Sequence, residues 1–97
     1  DYIHVVDVAR ANLSSVNYII KENIKKPLVL NISSGKNYSV IKVINEFEHV
    51  FESKIDYEVM PRRTSDVSCS YSDNSLAKKI IKWEPKFNLN DIVKSFI

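Results

Sequence analysis

The sequence predicts a small α/β fold with elements in the order β-α-β-α-β-(β)-α-α. Three observations predict it. Short β-branched and aromatic runs at 2–6, 28–32 and 54–60 read as strands. Between and after them, apolar residues recur three and four apart, which is the helical period. Cap and turn residues separate the two patterns. With 97 residues, 44% of them hydrophobic and 27% charged, the chain has the composition of an ordinary globular domain, and room for only one.

Tyr2 to Val6 is the first extended segment, and Asp7 is a good N-cap for the helix after it. Ala9, Leu13, Val16, Ile20 and Ile24 form one helical stripe, predicted to face inward. Pro27 closes that helix, with Lys25 and Lys26 at its negative end. Leu28 to Ile32 is short and apolar enough for a buried strand. Ser33 to Asn37 is a turn in which Gly35 and Asn37 both tolerate positive φ. Ser39 caps a second helix with Val40, Val43, Ile44, Phe47 and Phe51 inward and His49 in solvent. Ile55, Tyr57 and Val59 alternate with polar residues, as a strand with one wet face does.

Pro61 to Asp66 is a polar loop, and Val67, Cys69 and Tyr71 alternate with serines in another short extended piece. Asp73 caps a short helix carrying Leu76, Ala77, Ile80 and Ile81, which Trp83 and Pro85 terminate. Trp83 is the expected anchor of the last two helices. Asn88-x-x-Asp91 reads as a capping box, although Asp replaces the usual Glu or Gln. Leu89, Ile92, Val93, Phe96 and Ile97 are the inward face of the final helix.

Composition removes several functions. The one glycine, Gly35, leaves no room for a dinucleotide fingerprint, which needs three, or for a P-loop, which needs two. A net charge of +2, from 14 basic and 12 acidic residues, argues for neither nucleic acid nor membrane by itself. The single cysteine, Cys69, forms no internal disulfide and points to a reducing compartment; with no partnered histidine it reads as packing. His4 and His49 make no zinc spacing, and His4 reads as a hydrogen-bonded structural residue. No apolar run approaches the length of a membrane span, and the start is no signal peptide. A first residue of Asp rather than Met suggests a processed chain or a piece of a longer one.

The concentrated chemical signal is Pro61-Arg62-Arg63-Thr64-Ser65-Asp66. Two of only three arginines stand together in a loop after a predicted strand, where α/β proteins bind ligands. Arginine grips phosphate through parallel charge-assisted hydrogen bonds, and a carboxylate accepts from two ribose hydroxyls at once. Arg63 and Asp66 at this spacing suit the phosphate and ribose of one nucleotide. The plainer alternative is a surface loop whose charges solvate or pair.

Four segments in series then carry a resemblance along the whole chain. Asp1-Tyr2-Ile3-His4-Val5-x-Asp7-Val8-Ala9 resembles the segment that opens the substrate domain of the UDP-glucose 4-epimerases, which are extended short-chain dehydrogenase/reductases. Asn31-Ile32-Ser33-Ser34-Gly35-x-x-Tyr38-Ser39-Val40 resembles that family's strand–turn–helix with its N-[IL]-G-x-G core. Pro61-Arg62-Arg63-x-x-Asp66 is similar to its P-x-R-x-G-D loop. Asp73, Ala77, Lys78, Trp83, Pro85 and Leu89 match its closing helices.

The resemblance implies that residues 1–97 are a C-terminal, substrate-binding portion, and that NAD sits in an N-terminal Rossmann domain absent from this chain. It implies a UDP-sugar ligand, with Arg63 on phosphate and Asp66 on ribose. Ser70, four residues after that acid, lies where the family's size selection at the sugar 2-substituent operates; a small residue there goes with N-acetyl sugars. No catalytic residue falls in the chain, which alone is expected to be inactive. A cytoplasmic location and a homodimer of the full-length protein are implied as well. Ser33 and Ser65 replace family glycines, so strain is expected wherever φ must be positive. The substrate domain of a related dehydratase or decarboxylase, and a non-catalytic polyanion-binding module using Arg62, Arg63 and the lysines, are the competing readings.

Overall fold

Local capping sets the helices. The His4 ring Nδ1 accepts from the Val6 N–H at 3.0 Å, satisfying a donor that the first turn leaves without a partner. Helix α1 spans Val5–Glu22 and ends on Asn23, whose φ of 50° is left-handed. Ser39 Oγ accepts from the Lys42 N–H at 3.1 Å and opens α2, Val40–Phe51. Helix α3 is Ser75–Ile80. Helix α4, Leu89–Lys94, opens with the capping box that the sequence predicts: Asp91 N–H donates to Asn88 Oδ1 at 2.9 Å and Asn88 N–H donates to Asp91 Oδ2 at 3.0 Å. The structure, a computed structural model, describes residues 1–64 and 69–96.

The α/β prediction is wrong for this structure. The described residues hold four helices and no strand. Alternation measures whether a segment has one apolar side; a strand also needs a neighbour to complete its hydrogen-bond ladder. Residues 28–32, predicted as a buried strand, form no ladder and are only partly buried. Leu30 and Ile32 pack against the core, while Val29 is 82% exposed. Residues 54–60 are all exposed, Val59 to 81%. The first predicted strand is replaced by the helix start at Val5, and residues 69–71 pair with no strand.

Helix α1 is turned differently from its predicted face. Its buried residues are Asp7 and Ala11; Leu13, Val16 and Ile20 of the predicted stripe are exposed. The small side of the helix lets Trp83 come close, and Ala11, Ala77, Ile81 and Trp83 form the core. Ile3, Tyr18, Leu30, Ile32 and Ile80 flank it. Helices α2 and α4 pack together through Phe47 and Phe96, with centroids 5.4 Å apart, and through Asn90 Nδ2 donating to Glu46 Oε1 at 2.7 Å. Leu89 and Val93 are buried as predicted, whereas Phe96 is exposed and Ile97 lies outside the described residues.

The chain does not close around this core. Its radius of gyration is 16.7 Å, against about 13 Å for a compact domain of this length. Its accessible surface is 7709 Å², where size scaling gives roughly 5,700 Å². The surplus is apolar in large part, along α1 and residues 55–60. Among the described residues no helix is long and apolar enough to cross a membrane.

Candidate functional site

Two acids, neither assigned this role by the sequence, tie distant stretches of the chain together, and Ser70 lies on one of those stretches. Asp7 is not the N-cap; it sits inside the first turn of α1 and is wholly buried. Its carboxylate accepts the Lys86 N–H at 3.0 and 3.1 Å and the Phe87 N–H at 3.1 Å, and pairs with Arg10 Nη1 at 2.7 Å. Its backbone carbonyl accepts from Trp83 Nε1 at 2.9 Å. His4 stacks on Phe87 with centroids 4.3 Å apart. His4 is therefore a hydrogen-bonded structural residue, as predicted; Trp83 is an anchor too, but it ties α3 to α1 and not the last two helices to each other, and residues 83–88 are fastened to the start of α1.

Asp1 makes the second bridge. Its Oδ1 accepts from the Ser34 N–H at 2.9 Å and the Ser34 hydroxyl at 2.6 Å. Its Oδ2 accepts from the Gly35 N–H at 3.3 Å and the Ser72 N–H at 3.4 Å. The Asp1 backbone nitrogen donates to the Ser70 carbonyl at 3.0 Å. Around this centre, Ser33 Oγ donates to Ser72 O at 3.1 Å and Asn74 Nδ2 donates to Ser33 O at 2.8 Å. Asn37 Nδ2 donates to Cys69 Sγ at 2.9 Å. Residues 31–37 thus run beside 69–74, joined by side chains instead of a sheet ladder.

This arrangement resolves two of the sequence expectations. Gly35 has φ of 72°, and a Cβ there would lie 3.2 Å from Asn74 Nδ2, so the turn needs its glycine. Ser33 is outside the left-handed region, and its buried hydroxyl is satisfied by Ser72. The serine at that position carries no φ strain and adds a tie between the two segments. Ser65 lies outside the described residues, as does Asp66.

Ser70 is exposed on the docked 69–74 segment, with its carbonyl held by Asp1. Arg62 and Arg63 are exposed on the stretch before residue 65. The described geometry therefore fixes the backbone at Ser70 and leaves Arg62 and Arg63 at the surface; the pairing of Arg63 with Asp66 falls outside it. Cys69 is exposed, which corrects its assignment to packing: burial in this segment begins at Ser72 and Asn74, and the Cys69 thiol meets the Asn37 amide at the surface. Among the described residues no three His, Cys, Asp or Glu side chains gather as metal ligands do. The Asp73 carboxyl is held below its ordinary value by the Ser75 N–H, at 2.9 Å, then by the Ser75 hydroxyl, with Lys78 adding to the effect. It caps the start of α3 from one residue further out than predicted, since Asn74 is the residue at the N-cap.

Local pattern gave no signal for the Asp1 and Asp7 bridges, because the backbone groups they gather stand 33 to 80 positions away; only Arg10, three residues on from Asp7, is near in sequence. The one hint was an acid in an otherwise apolar segment, which needs donors from somewhere if it is buried.

No protein-family model matches the chain. It is 36% identical over 95 residues to the UDP-glucose 4-epimerase of Bifidobacterium longum, covering 98% of this chain and 27% of that protein. It is 37% identical over 94 residues to the UDP-glucose 4-epimerase of Neisseria meningitidis serogroup C, covering 97% and 27%. UDP-glucose 4-epimerase 4 of rice is 31% identical over 94 residues, covering 97% and 25%. The chain spans about a quarter of the length of these relatives.

Proposed function

We infer, from a chain homologous along nearly its whole length to the C-terminal part of the UDP-glucose 4-epimerases, that it is the UDP-sugar-binding part of such an enzyme. Arg63 holds phosphate, Asp66 holds the ribose diol, and Ser70 lines the space beside the sugar 2-substituent. The collinear identity over 95 residues carries this reading. The surface of the fold supports it: the uncovered apolar side of α1 suits a piece that packs against the rest of a larger enzyme.

The activity implies NAD as the hydride carrier. This chain's residues do not fit that group, because a single glycine cannot build the turn that approaches a pyrophosphate. The cofactor and the catalytic base therefore belong to other sequence, and residues 1–97 contribute the grip on substrate. A firm hold on the nucleotide and a looser one on the sugar is what inversion at C4 requires, since the oxidised sugar must present its other face.

The test is a chimera in which residues 1–97 replace the matching quarter of the Bifidobacterium longum enzyme. Arg63→Ala is expected to weaken UDP binding by about 1.5–3 kcal/mol, the range of a hydrogen bond to a charged group. Unchanged affinity overturns the assignment of Arg63. With Ser70 in place the chimera is expected to turn over UDP-N-acetylglucosamine as well as UDP-glucose; turnover of UDP-glucose alone removes the role of Ser70.

A further inference from the structure

A second basic feature involves none of Arg63, Asp66 and Ser70. Arg10 of α1, Lys78 of α3 and Lys82, Trp83, Glu84 and Lys86 of the stretch after α3 line one depression of about 370 Å³. We propose that this depression binds a compact polyphosphate anion, independently of the UDP-sugar reading.

Arg10 is the fixed element. Its Nη1 is held by the buried Asp7 carboxylate at 2.7 Å and reaches the Glu84 carbonyl at 3.4 Å. Those bonds set the plane of the guanidinium and leave its Nη2 and Nε donors without a protein partner among the described residues. A guanidinium oriented in advance loses little entropy on meeting phosphate oxygens. Around it stand three ammonium groups, Lys78, Lys82 and Lys86, with no salt bridge among the described residues. Lys78 also lies in the last turn of α3, where a cation complements the helix dipole. That accounts for one of the four cations; Arg10, Lys82 and Lys86 come from outside that helix.

Three carboxylates stand against the four cations, and none of the three pairs with Lys82 or Lys86 among the described residues. Asp7 lies beneath Arg10, Glu84 is on the lining, and exposed Asp73 acts on Lys78. Mutual repulsion of the lysines is relieved by a ligand carrying several negative charges close together. The cations come from α1, α3 and the stretch after α3 to line one depression and are not a stripe along one helix, which favours a small polyanion over a nucleic-acid backbone.

Trp83, the sole tryptophan, lines the depression and supplies the readout. The 97-residue chain is titrated with inorganic tripolyphosphate, followed by Trp83 fluorescence, against sodium sulfate at matched ionic strength. A saturable change specific to tripolyphosphate is expected. Lys82→Gly is expected to weaken it about tenfold. Lys82 has φ of 55°, a conformation that glycine adopts freely, so this variant loses binding without losing the fold. Glu84→Gln is expected to tighten binding, a gain that unfolding cannot produce. Arg63→Ala is expected to leave it unchanged, which keeps this site separate from the UDP-sugar assignment. An equal response to sulfate, or Lys82→Gly binding as the parent does, overturns the proposal. Tighter binding of a duplex RNA than of tripolyphosphate overturns the choice of a compact ligand.

Discussion

Residues 83–88 and residues 54–64 are both stretches without helix, and the chain treats them in opposite ways. The first is bound to the rest of the molecule at nearly every step. Trp83 Nε1, Lys86 N–H and Phe87 N–H all donate to Asp7, and Asn88 N–H donates to Asp91. The second is exposed throughout, with Ile55 N–H donating to Glu48 Oε2 at 3.0 Å near its start. A buried acid that gathers donors from a distant stretch makes that loop part of the scaffold. The side chains of the 54–64 stretch stay at the surface, those of Arg62 and Arg63 in the segment proposed to grip a nucleotide among them.

The sharpest way to break that contrast is to remove the acid. Asp7→Ala leaves two backbone N–H groups without acceptors and Arg10 without its counterion. A loss of about 2–5 kcal/mol is expected, a large share of the stability of a small domain. Urea denaturation followed by Trp83 fluorescence reads it. A change below about 1 kcal/mol, the worth of an exposed pair, would show that the Asp7 contacts do not fasten the 83–88 stretch. The Asp1 bridge gives a milder version. Gly35→Ala places a Cβ 3.2 Å from Asn74 Nδ2 at φ of 72°, so about 1–2 kcal/mol of destabilisation is expected. Faster hydrogen exchange at Ser34, Gly35 and Ser72 is expected with it.

What could be read from the sequence divides along the same line. Ser39 caps the backbone N–H three residues on, and Asn88 with Asp91 completes a box at the same spacing, so the residue types at 39, 88 and 91 suffice. Gly35 announces its turn because few other residues take its φ. The Trp83 anchor was legible from its size, but its partner Asp7, 76 positions earlier, was not. The predicted strands failed for the same reason. Alternation at 54–60 was real, and pairing depends on a neighbour that local sequence does not specify. The face of α1 failed because period fixes a stripe and not the element that covers it. Arg63 and Ser70 came from resemblance to whole motifs; the structure adds the hold that Asp1 has on Ser70, which no motif contained.

A substitution in the open stretch tests whether it is unpaired. Val59→Ser changes a residue that is 81% exposed, so a shift within about 0.5 kcal/mol is expected. A β-ladder with a packed face would lose more, because cross-strand side-chain pairs would go with it. A loss above about 1 kcal/mol in the same urea experiment would restore the predicted strand and remove the contrast between the two stretches.

The smallest expected effect concerns Asp73, which sits between the docked 69–74 segment and α3. Its carboxyl is held below the ordinary 3.8, first by the Ser75 N–H, then by the Ser75 hydroxyl. The folded chain therefore keeps this group ionised at a pH where the unfolded chain has already bound a proton. The unfolded state holds the extra proton, so stability falls as pH falls. The contribution is complete above the unfolded value and is lost on descending through the folded one. The group is exposed, so solvent screens it and the slope is shallow. Asp73→Asn keeps a side-chain oxygen for the Ser75 N–H and removes the titration. Thermal melts between about pH 2 and pH 7, spanning the usual carboxylate range, are expected to show a flatter acid limb in the variant and near-equal midpoints at neutral pH. Identical acid limbs would mean that this carboxylate is no better held in the folded chain than in the unfolded one, placing Asp73 with the open stretch instead of with the scaffold.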